Sequence, residues 1–447
     1  MSRPNSLFLL VLLSFCQLCV AQTPSKIRMD GEFDDWQQSQ LSGKDPVGDA
    51  TAAFDVSRVD LIADGTTLYV RFDTQQPLNL QSGLPAEGTL RLRVEFSDDR
   101  KLLVDFRERS AILNTPGSSN TIPWSELRFS CLPTYAAKEF ELRLDLKAVG
   151  AGRGETMSLN FEGSDSLSDS LDLTIGSASP RTQADASTLA KPSGALRVAS
   201  INTLHEGSAT ERAPSIKKLL DFAKADVYCF NEVWEEDVFR ETIGNVLPDS
   251  LRSTANLHWA NTCGIVSRFP VTPLSFECPE AAALIETPDG ANLVVVAVHF
   301  KCCGYRESRE DQKRVEEVNA LLADLKNMRA GKFGPKAARA GVIVLGDYNL
   351  VGSRKPLDLL NQFGIEDLMM RNPIDGSANT WRGMKLTESF WPGRLDYASV
   401  DTKRIGSASG FLLNTEQLNE IDPRFATDVI ASDHSMMVVD VELKKPE

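Results

Sequence analysis

The sequence predicts two folded units in series: an all-β sandwich, then an α/β unit that contains mixed β-sheets. Residues 25–175 hold short stretches of alternating apolar and polar side chains, which is typical of antiparallel strands with one face in solvent. From residue 195 the strands become continuous apolar runs with helical patterns between them, which indicates strands buried on both faces. Residues 176–194 contain almost no large apolar side chains, and we interpret them as a linker.

The composition limits the classes of protein that the chain can belong to. A length of 447 residues is enough for two or three domains. A hydrophobic fraction of 42% with 25% charged residues excludes a wholly disordered chain, a collagen-like fibre and a polytopic membrane protein. The formal charge of −14 lacks the overall basic footprint of a tight nucleic-acid binder. A local phosphodiester contact remains open, because a bound cation reverses the local sign of charge.

The amino terminus has the pattern of a secretory signal peptide. Arg3 precedes an apolar run over residues 7–20, which closes on the small-x-small sequence Cys19-Val20-Ala21. We predict a signal peptide over residues 1–21 with cleavage after Ala21; an uncleaved anchor is the alternative. The remaining sequence has no second apolar run of spanning length, so we expect a soluble protein that is secreted, periplasmic or at the cell surface.

Six cysteines follow the predicted signal peptide: Cys131, Cys229, Cys263, Cys278, Cys302 and Cys303. An even number in an oxidising compartment favours disulfides, although the pairing is open. A disulfide between the adjacent Cys302 and Cys303 would shape a loop. We predict that Cys131 and Cys229 are buried free thiols. The spacing excludes a paired Cys-x-x-Cys zinc site.

The elements of the first half follow from period-two alternation. Strands are predicted at 67–72, 90–96, 102–106 and 140–146, with Gly, Asp, Ser and Pro clusters between them. Short alternating strands separated by turns are typical of an antiparallel sandwich, which we assign to residues 22–175.

The elements of the second half, residues 195–447, alternate between strand and helix. Continuous apolar runs predict strands at 196–201, 227–230, 293–298, 342–345 and 436–443. Ile216, Leu219, Leu220 and Ala223 recur at helical spacing after Pro214, which is a favourable first-turn residue. A longer, charge-rich helix is predicted over 307–328.

Polar side chains lie at the ends of these buried strands. They are Asn202, Glu232, His299, Asp347 and Asn349 after strands, and Asp396, Asp433 and His434 before strands. Polar residues where buried strands reach the surface are typical of a functional site on a rigid scaffold. If both groups converge, the sheets must be mixed, which argues against a parallel dinucleotide-binding fold.

The residue types indicate a reaction class. Carboxylate and amide oxygens suit a hard cation such as Mg²⁺, which binds through one or two carboxylates, water and substrate phosphate. A histidine paired with an aspartate can take a proton from water. The set contains no serine or cysteine nucleophile with an obvious base, so we predict metal-assisted attack of water on a phosphorus ester.

The second half resembles the endonuclease/exonuclease/phosphatase (DNase I-like) superfamily. The resemblance rests on seven segments in order: Asn202, Phe230-Asn-Glu-Val233, Gly264-Ile-Val-Ser-Arg-Phe-Pro270, Val298-His-Phe300, Gly346-Asp-Tyr-Asn349, Arg394-Leu-Asp-Tyr397 and Ser432-Asp-His434. The superfamily includes DNase I-like nucleases, abasic-site endonucleases, bacterial sphingomyelinases and inositol-polyphosphate 5-phosphatases. The resemblance implies a four-layer α/β sandwich with two packed mixed β-sheets.

The resemblance also implies a role for each polar residue. It makes Glu232 the principal Mg²⁺ ligand with Asn202 beside it, and Asp433 an accessory ligand of metal or water. It makes His434 the general base with Asp396 as its orienting partner. It makes Asp347 and Asn349 the pair that orients the nucleophile and steadies the phosphoryl oxygens. It makes His299 a residue that contacts the phosphate or assists the leaving group. Mn²⁺ or Ca²⁺ are alternatives to Mg²⁺.

Residues around these motifs are candidate substrate contacts. Lys301 stands in Lys301-Cys-Cys-Gly-Tyr305, a departure from the well-known nucleases, and is placed to meet phosphate. Trp381 is a candidate lining residue of the cleft, with packing as the alternative. The charged helix over 307–328 is expected to present a solvated face, with local attraction of an anion by Arg306, Arg309, Lys313 and Arg314 as the alternative.

The first half resembles family 9-type carbohydrate-binding and DOMON-like sandwiches. The resemblance rests on residues 27–36, 45–49, Asp55 and 68–72, and it implies a glycan ligand. Candidate sugar platforms are Trp36, Trp124 and Tyr135, although we favour Trp36 as a core anchor. The aspartates of this region either hold Ca²⁺ or belong to solvated turns.

The sequence therefore predicts a secreted, Mg²⁺-dependent phosphodiesterase that works by His/Asp-activated attack of water. An extracellular endonuclease acting on nucleic acid is the simplest form, and a monomer is expected. A sphingomyelinase-like lipid phosphodiesterase and a phosphomonoesterase are the alternatives. An inactive surface binding protein is the alternative of another class, and the filled catalytic positions argue against it.

Overall fold

A computed structural model describes residues 27–444, apart from 51–53, 82–87, 180–185, 279, 384–389 and 428. The predicted signal peptide, residues 1–21, lies outside the described residues. In the described part of the chain, no helix is both long enough and apolar enough to cross a bilayer.

Two antiparallel sheets form the first half. The strands are β1 (Leu41–Lys44), β2 (Val56–Asp64), β3 (Thr67–Leu78), β4 (Leu90–Phe96), β5 (Lys101–Asp105), β6 (Ser110–Thr115), β7 (Ser118–Thr121), β8 (Ser130–Leu132), β9 (Ala137–Asp145), β10 (Thr156–Gly163) and β11 (Leu171–Thr174). One sheet has the order β1-β2-β3-β9-β8, and the other has the order β11-β10-β4-β5-β6-β7. Residues of both sheets, including Phe72 and Phe161, share one apolar core, which confirms the predicted sandwich. A short helix, α1 (Trp124–Leu127), precedes β8.

Two mixed sheets form the second half. The first has the order β14-β15-β13-β12-β23-β22 and the second β16-β17-β18-β19-β21-β20. The strands are β12 (Leu196–Asn202), β13 (Val227–Asn231), β14 (Asn256–Ala260), β15 (Cys263–Ser267), β16 (Val271–Pro273), β17 (Ala281–Glu286), β18 (Asn292–His299), β19 (Gly341–Asp347), β20 (Ile365–Asp367), β21 (Asp396–Asp401), β22 (Ile405–Leu413) and β23 (Met436–Leu443). In each sheet one central pair is parallel, β12 with β13 and β18 with β19, and the other pairs are antiparallel.

The helices lie on the outer faces of these sheets. They are α2 (Ala213–Ala223), α3 (Glu236–Thr242), α4 (Asp249–Arg252), α5 (Arg309–Arg329), α6 (Pro335–Arg339), α7 (Lys355–Phe363) and α8 (Thr415–Ile421). The predicted long helix is confirmed as α5. It begins after Ser308, whose Oγ accepts the Asp311 N–H at 3.2 Å.

Alternate residues of the central strands face different layers. Val295 of β18 and Val439 of β23 lie in one cluster between the two sheets. Val296, the next residue of β18, packs in the cluster that contains Leu321 of α5, and Val438 packs in the cluster that contains Leu220 of α2. Strands buried on both faces therefore read as continuous apolar runs, and the four-layer sandwich is confirmed.

The sandwich of the first half packs directly on the second half. Trp391, which precedes β21, is fully buried in the core of the sandwich, with ring centroids 5.1–5.2 Å from Phe106, Trp124 and Phe129. Its Nε1–H donates to the Leu80 carbonyl at 2.9 Å. The two halves thus share an apolar core as well as a chain connection.

The described parts of the segment 176–194 are also in contact with folded structure. Lys191 Nζ lies 2.8 Å from Asp226 Oδ2, and the side chains of Ala186 and Leu189 pack against the α2 layer. Residues 186–191 therefore lie against the second half, whereas Ser179 donates its backbone N–H to Asp64 of the sandwich.

The six cysteines after the predicted signal peptide are free thiols in the structure, so the expected disulfides are not formed. Cys131 and Cys229 are fully buried, as predicted. Cys131 lies in the core of the sandwich, Cys278 in the α5 layer, and Cys229 and Cys263 between the two mixed sheets.

Candidate active site

The strand directions of the two mixed sheets bring the predicted polar residues to one edge. In one sheet the parallel strands β12 and β13 end at Asn202 and Asn231, beside the start of the antiparallel β23. In the other sheet His299, Asp347 and Asp396 are consecutive partners across β18, β19 and β21. Both carboxyl-terminal and amino-terminal strand ends therefore meet, as the mixed topology requires.

His434 and Asp396 form a buried pair. His434 Nδ1 lies 2.7 Å from Asp396 Oδ2, and the two side chains are 6% and 3% exposed. Burial alone would lower the pKa of His434, but the carboxylates of Asp396, Asp347 and Asp433 outweigh it and raise the pKa to about 10. The contact to Asp396 fixes the ring so that Nε2 faces Asp347 at 3.9 Å.

His299 faces the same carboxylate from the neighbouring strand. Its Nε2 also lies 3.9 Å from Asp347 Oδ2, and its Nδ1 lies 3.0 Å from Thr262 Oγ1. Burial lowers the pKa of His299, which favours the neutral imidazole. Sequence reasoning did not single out Thr262, because a threonine in a turn carries no chemical signal until its partner is known.

Asp347 is the shared partner of both histidines. Its Oδ2 accepts Asn202 Nδ2–H at 3.2 Å, and its Oδ1 accepts the Asn349 backbone N–H at 2.9 Å. Burial, together with the nearby carboxylates of Asp396 and Glu232, raises its pKa well above the usual range despite the opposing effect of His434. Asn349 also donates through Nδ2 to the Phe300 carbonyl at 3.1 Å.

Glu232 lies at the open side of this group. Its Oε1 accepts Asn202 Nδ2–H at 3.0 Å and its Oε2 accepts the His205 backbone N–H at 2.9 Å. The Glu232 side chain is 16% exposed, so one face of the carboxylate is open to a ligand. The His205 side chain is 76% exposed, with its Nδ1 3.8 Å from Glu232 Oε2.

Asp433 and Trp381 contact each other. Trp381 Nε1–H donates to Asp433 Oδ2 at 3.3 Å, and the tryptophan is 7% exposed. Most of the ring packs with Val351 and Leu395, so this position serves packing and orientation of Asp433 more than an open cleft wall. Thr380, which sequence reasoning missed, accepts the backbone N–H groups of Leu395 and Asp396 at 2.9 Å each.

The backbone around the site adopts left-handed conformations at several non-glycine residues. Glu232 has φ +58°, Asn349 has φ +50° and Cys303 has φ +70°. Leu204, His205 and Glu206 are left-handed in succession. Such conformations are uncommon for these residue types and concentrate at functional sites, where surrounding contacts hold them.

The loop after His299, residues 301–303, is held by residues of α5. Lys301 is exposed, and its backbone N–H donates to Glu317 Oε2 at 2.9 Å. Arg314 is fully buried and donates to the carbonyls of Lys301 and Cys303 at 2.7 and 2.8 Å, so it supports the loop instead of attracting an anion. The Sγ atoms of Cys302 and Cys303 lie 3.0 Å apart.

An exposed tryptophan lies beside Glu232. Trp234 is 45% exposed, and its ring centroid lies 6.2 Å from that of His205 and 5.9 Å from that of His299. Exposure of a large aromatic ring next to catalytic candidates suggests substrate contact. Its position two residues after Glu232 is the sequence signal for this role.

The donor set fits a hard divalent cation. Glu232, Asp347, Asp396 and Asp433 bring four carboxylates together, and within the described residues no lysine or arginine pairs with them. This excess of negative charge raises the pKa of His434, and it adds to the effect of burial, which is the main cause of the raised pKa of Asp347. Glu232 and Asp433 offer carboxylate oxygens, which Mg²⁺ prefers. The Asn202 amide donates its N–H to Glu232, and its oxygen accepts the Leu204 N–H at 3.0 Å, so Asn202 would become a ligand after an amide flip.

Comparison with solved structures gives several similar chains of low sequence identity. They include a beta toxin from Staphylococcus aureus, with 17% identity, 55% of this chain and 99% of that chain covered, and TM-score 0.40. They also include TDP2 from C. elegans, with 16% identity, coverage of 56% and 76%, and TM-score 0.39. An AP endonuclease, LMAP, from Leishmania major has 11% identity, coverage of 60% and 93%, and TM-score 0.43. A search among curated protein sequences gave no match.

The fold and the site define a metal-dependent phosphoester hydrolase. The sequence profile of the Endonuclease/Exonuclease/phosphatase family matches residues 199–434, more than half of the chain. The chain belongs to the endonuclease/exonuclease/phosphatase family, as the sequence motifs predicted.

Proposed function

We propose that the protein is an exported, Mg²⁺-dependent phosphodiesterase that cleaves nucleic acid as an extracellular endonuclease. One observation carries the proposal of diester cleavage. The Nε2 atoms of His299 and His434 both lie 3.9 Å from Asp347 Oδ2, and each ring is held through Nδ1 by a different partner. Two imidazoles around one phosphorus can serve the attacking water and the leaving oxygen separately, which an alcohol leaving group requires.

The residues divide the work as follows. His434, oriented by Asp396, is placed to take a proton from the attacking water at Nε2. A bound cation would offset the carboxylate charge that raises the pKa of His434, so that the ring could be neutral when the water attacks. His299, held at Nδ1 by Thr262, keeps the neutral ring that its lowered pKa favours and places Nε2 to hydrogen-bond the phosphate or the leaving oxygen. Asn349 contacts a phosphoryl oxygen, and Asp347 holds both imidazoles in register.

Glu232, Asn202 and Asp433 would hold the cation. When bound, a divalent cation neutralises charge on the phosphate and increases the electrophilicity of phosphorus. We favour Mg²⁺ because the available ligands are few and carry oxygen, so water and substrate complete the coordination. Export is proposed from the signal-peptide pattern of residues 1–21.

A second candidate substrate is a lipid phosphodiester with a cationic head group. Trp234 presents an exposed ring, and the backbone N–H of the neighbouring Glu235 donates to Glu206 Oε1 at 2.8 Å. An aromatic face beside carboxylates suits a quaternary ammonium group. The same exposed ring can also stack on a nucleobase, so substrate assays must separate the two classes.

The experiment offers the purified chain plasmid DNA, RNA, sphingomyelin vesicles, bis-p-nitrophenyl phosphate and p-nitrophenyl phosphate. Each substrate is tested after chelation and after return of Mg²⁺, with His434→Ala as the inactive variant and His258→Ala as the matched control on β14. Cleavage of nucleic acid that needs Mg²⁺ and His434 but not His258 supports the proposal. Cleavage restricted to sphingomyelin favours the lipid enzyme, and cleavage restricted to the monoester favours a phosphatase. Inactivity on all substrates with Mg²⁺ present contradicts the proposal and favours a binding protein.

A further inference from the structure

A second group of acidic side chains lies in the sandwich, outside the catalytic half. Asp45, Asp49 and Asp165 each place one carboxylate oxygen so that the three oxygens lie within 4.8 Å of one another. Asp45 directly follows β1, and Asp165 follows β10. Asp49 lies in the turn between β1 and β2. The cluster therefore joins loops from both sheets of the sandwich.

The buried carboxylates of this cluster are only partly satisfied. Asp45 and Asp165 are each 6% exposed. Asp45 Oδ1 accepts from Ser168 N at 2.8 Å and Ser168 Oγ at 2.9 Å, whereas Asp45 Oδ2 is shut off from solvent and has no hydrogen-bond partner among the described residues. The neighbouring Asp55 is also 6% exposed, and its Oδ1 likewise has no partner in the described part of the chain.

The remaining oxygens hold the surrounding loops. Asp165 accepts the Val56 N–H at Oδ2 (2.7 Å) and the Ser166 N–H at Oδ1 (2.8 Å). Asp55 Oδ2 accepts the Gly48 N–H at 2.7 Å, which closes the turn that carries Asp49. The backbone thus fixes the positions of the carboxylates before any ligand binds.

No positive side chain balances this charge within the described residues. No lysine or arginine lies within ion-pair distance of Asp45, Asp49, Asp55 or Asp165 in the described ranges. Burial, and then the charges of Asp45 and Asp49, raise the pKa of Asp165. A buried carboxylate without a partner is costly, and a metal ion is one of the few groups that removes this cost.

We propose that Asp45, Asp49 and Asp165 bind a structural Ca²⁺ ion that ties the loop after β1 to the loop after β10. Oxygen donors from separate loops suit Ca²⁺, which accepts six to eight ligands in flexible geometry. Mg²⁺ fits less well, because it demands a small octahedral site and keeps its water. This site is independent of the catalytic cation and of the proposed substrate.

The test separates this site from the catalytic one. The full chain with Glu232→Gln is stripped with chelator, and its thermal unfolding and calorimetric binding are measured with Ca²⁺ and with Mg²⁺. We expect one Ca²⁺ per chain and a rise in Tm of about 3–6 °C at saturating Ca²⁺, with a smaller rise for Mg²⁺. Because Glu232 belongs to the catalytic site, binding that persists in this variant lies elsewhere.

Variants then locate the ion. Asp45→Asn with Asp165→Asn removes the Ca²⁺-dependent rise in Tm, whereas Asp172→Asn on the exposed face of β11 retains it. The absence of both a Tm shift and binding heat in the Glu232→Gln chain overturns the proposal without reference to any sandwich variant. A Ca²⁺ response that survives the double substitution equally overturns the assignment to these residues.

Discussion

Asp347 is the residue on which the proposed mechanism turns. Its Oδ2 is equidistant from the Nε2 atoms of His299 and His434, and Asn202 donates to the same oxygen. Each imidazole is fixed at its other nitrogen by a group from a different element. Such an arrangement restricts both rings before substrate binds, which is where positioned acid–base groups gain their rate advantage.

Removal of the His434 imidazole is expected to lower kcat by about 10²- to 10⁴-fold, because the attacking water loses its proton acceptor. Asp396→Asn weakens the same function, so the double variant His434→Ala/Asp396→Asn should be little worse than His434→Ala alone. Steady-state kinetics on bis-p-nitrophenyl phosphate measure this. If the reduction in kcat of the double variant equals the product of the two single reductions, the residues act independently.

Glu280 is expected to make stability depend on pH. Burial raises its pKa to about 7 from an ordinary value of 4.5, so the folded state retains a proton that the unfolded chain releases. Its contribution to the free energy of unfolding therefore falls as pH rises from about 4.5 to 7, by on the order of 3 kcal/mol. Denaturant titrations at pH 5 and pH 7 should show a smaller loss for Glu280→Gln than for the unaltered chain. Equal losses for the two chains would contradict the prediction.

At the scale of elements, the end of β19 needs a glycine. Gly346 has φ +141°, and a Cβ there would lie 2.1 Å from the Val298 carbonyl oxygen on the parallel strand β18. This close approach sets Asp347 beside His299. The conformation at the end of β19 is thus set by the neighbouring strand β18 as well as by the sequence of β19 itself.

Gly346→Ala should destabilise the protein by more than about 3 kcal/mol, because both the backbone conformation and the strand contact oppose a side chain. The matched control is Gly290→Ala. Gly290 also has positive φ, at +77°, but a Cβ there meets nothing within 4 Å, so we expect a cost of about 1 kcal/mol. Chemical denaturation compares the two. Similar costs at both positions would mean that β18 and β19 can separate to admit the methyl group.

At the scale of the whole molecule, the sandwich supports the catalytic loops. Both ends of the Gln81 amide bind the Trp391 backbone, at 2.7 and 3.1 Å. Thr134 Oγ1 donates to the carbonyls of Leu350 and Arg394, at 2.7 and 2.8 Å. These contacts lie one residue from Asn349 and two residues from Asp396, so the first half positions the site of the second.

Trp391→Ala is expected to cost about 3–5 kcal/mol of stability and also to lower kcat at temperatures where the chain remains folded. The substitution leaves a cavity in the sandwich core. It also loosens residues 391–395, which lead to Asp396 at the start of β21. Phe96→Ala is the matched control, since Phe96 packs in the same core yet belongs to β4. Thermal unfolding and kcat should separate the two variants. An unchanged kcat in Trp391→Ala would show that the sandwich does not position Asp396.

The sequence by itself determined nine of the strands, the long helix and the family, because burial on one or both faces leaves a periodicity and because motif order survives in the chain. It also supplied the polar residues at the strand ends. Only the tertiary structure decided that Trp391 fills the sandwich core, that Thr262 and Thr380 orient site residues, and that Trp381 is largely buried. These facts depend on contacts between residues far apart in the chain, and a threonine or tryptophan has the same local pattern in either role. Local periodicity reports which face of an element is buried, whereas the identity of the partner across the interface is set by packing.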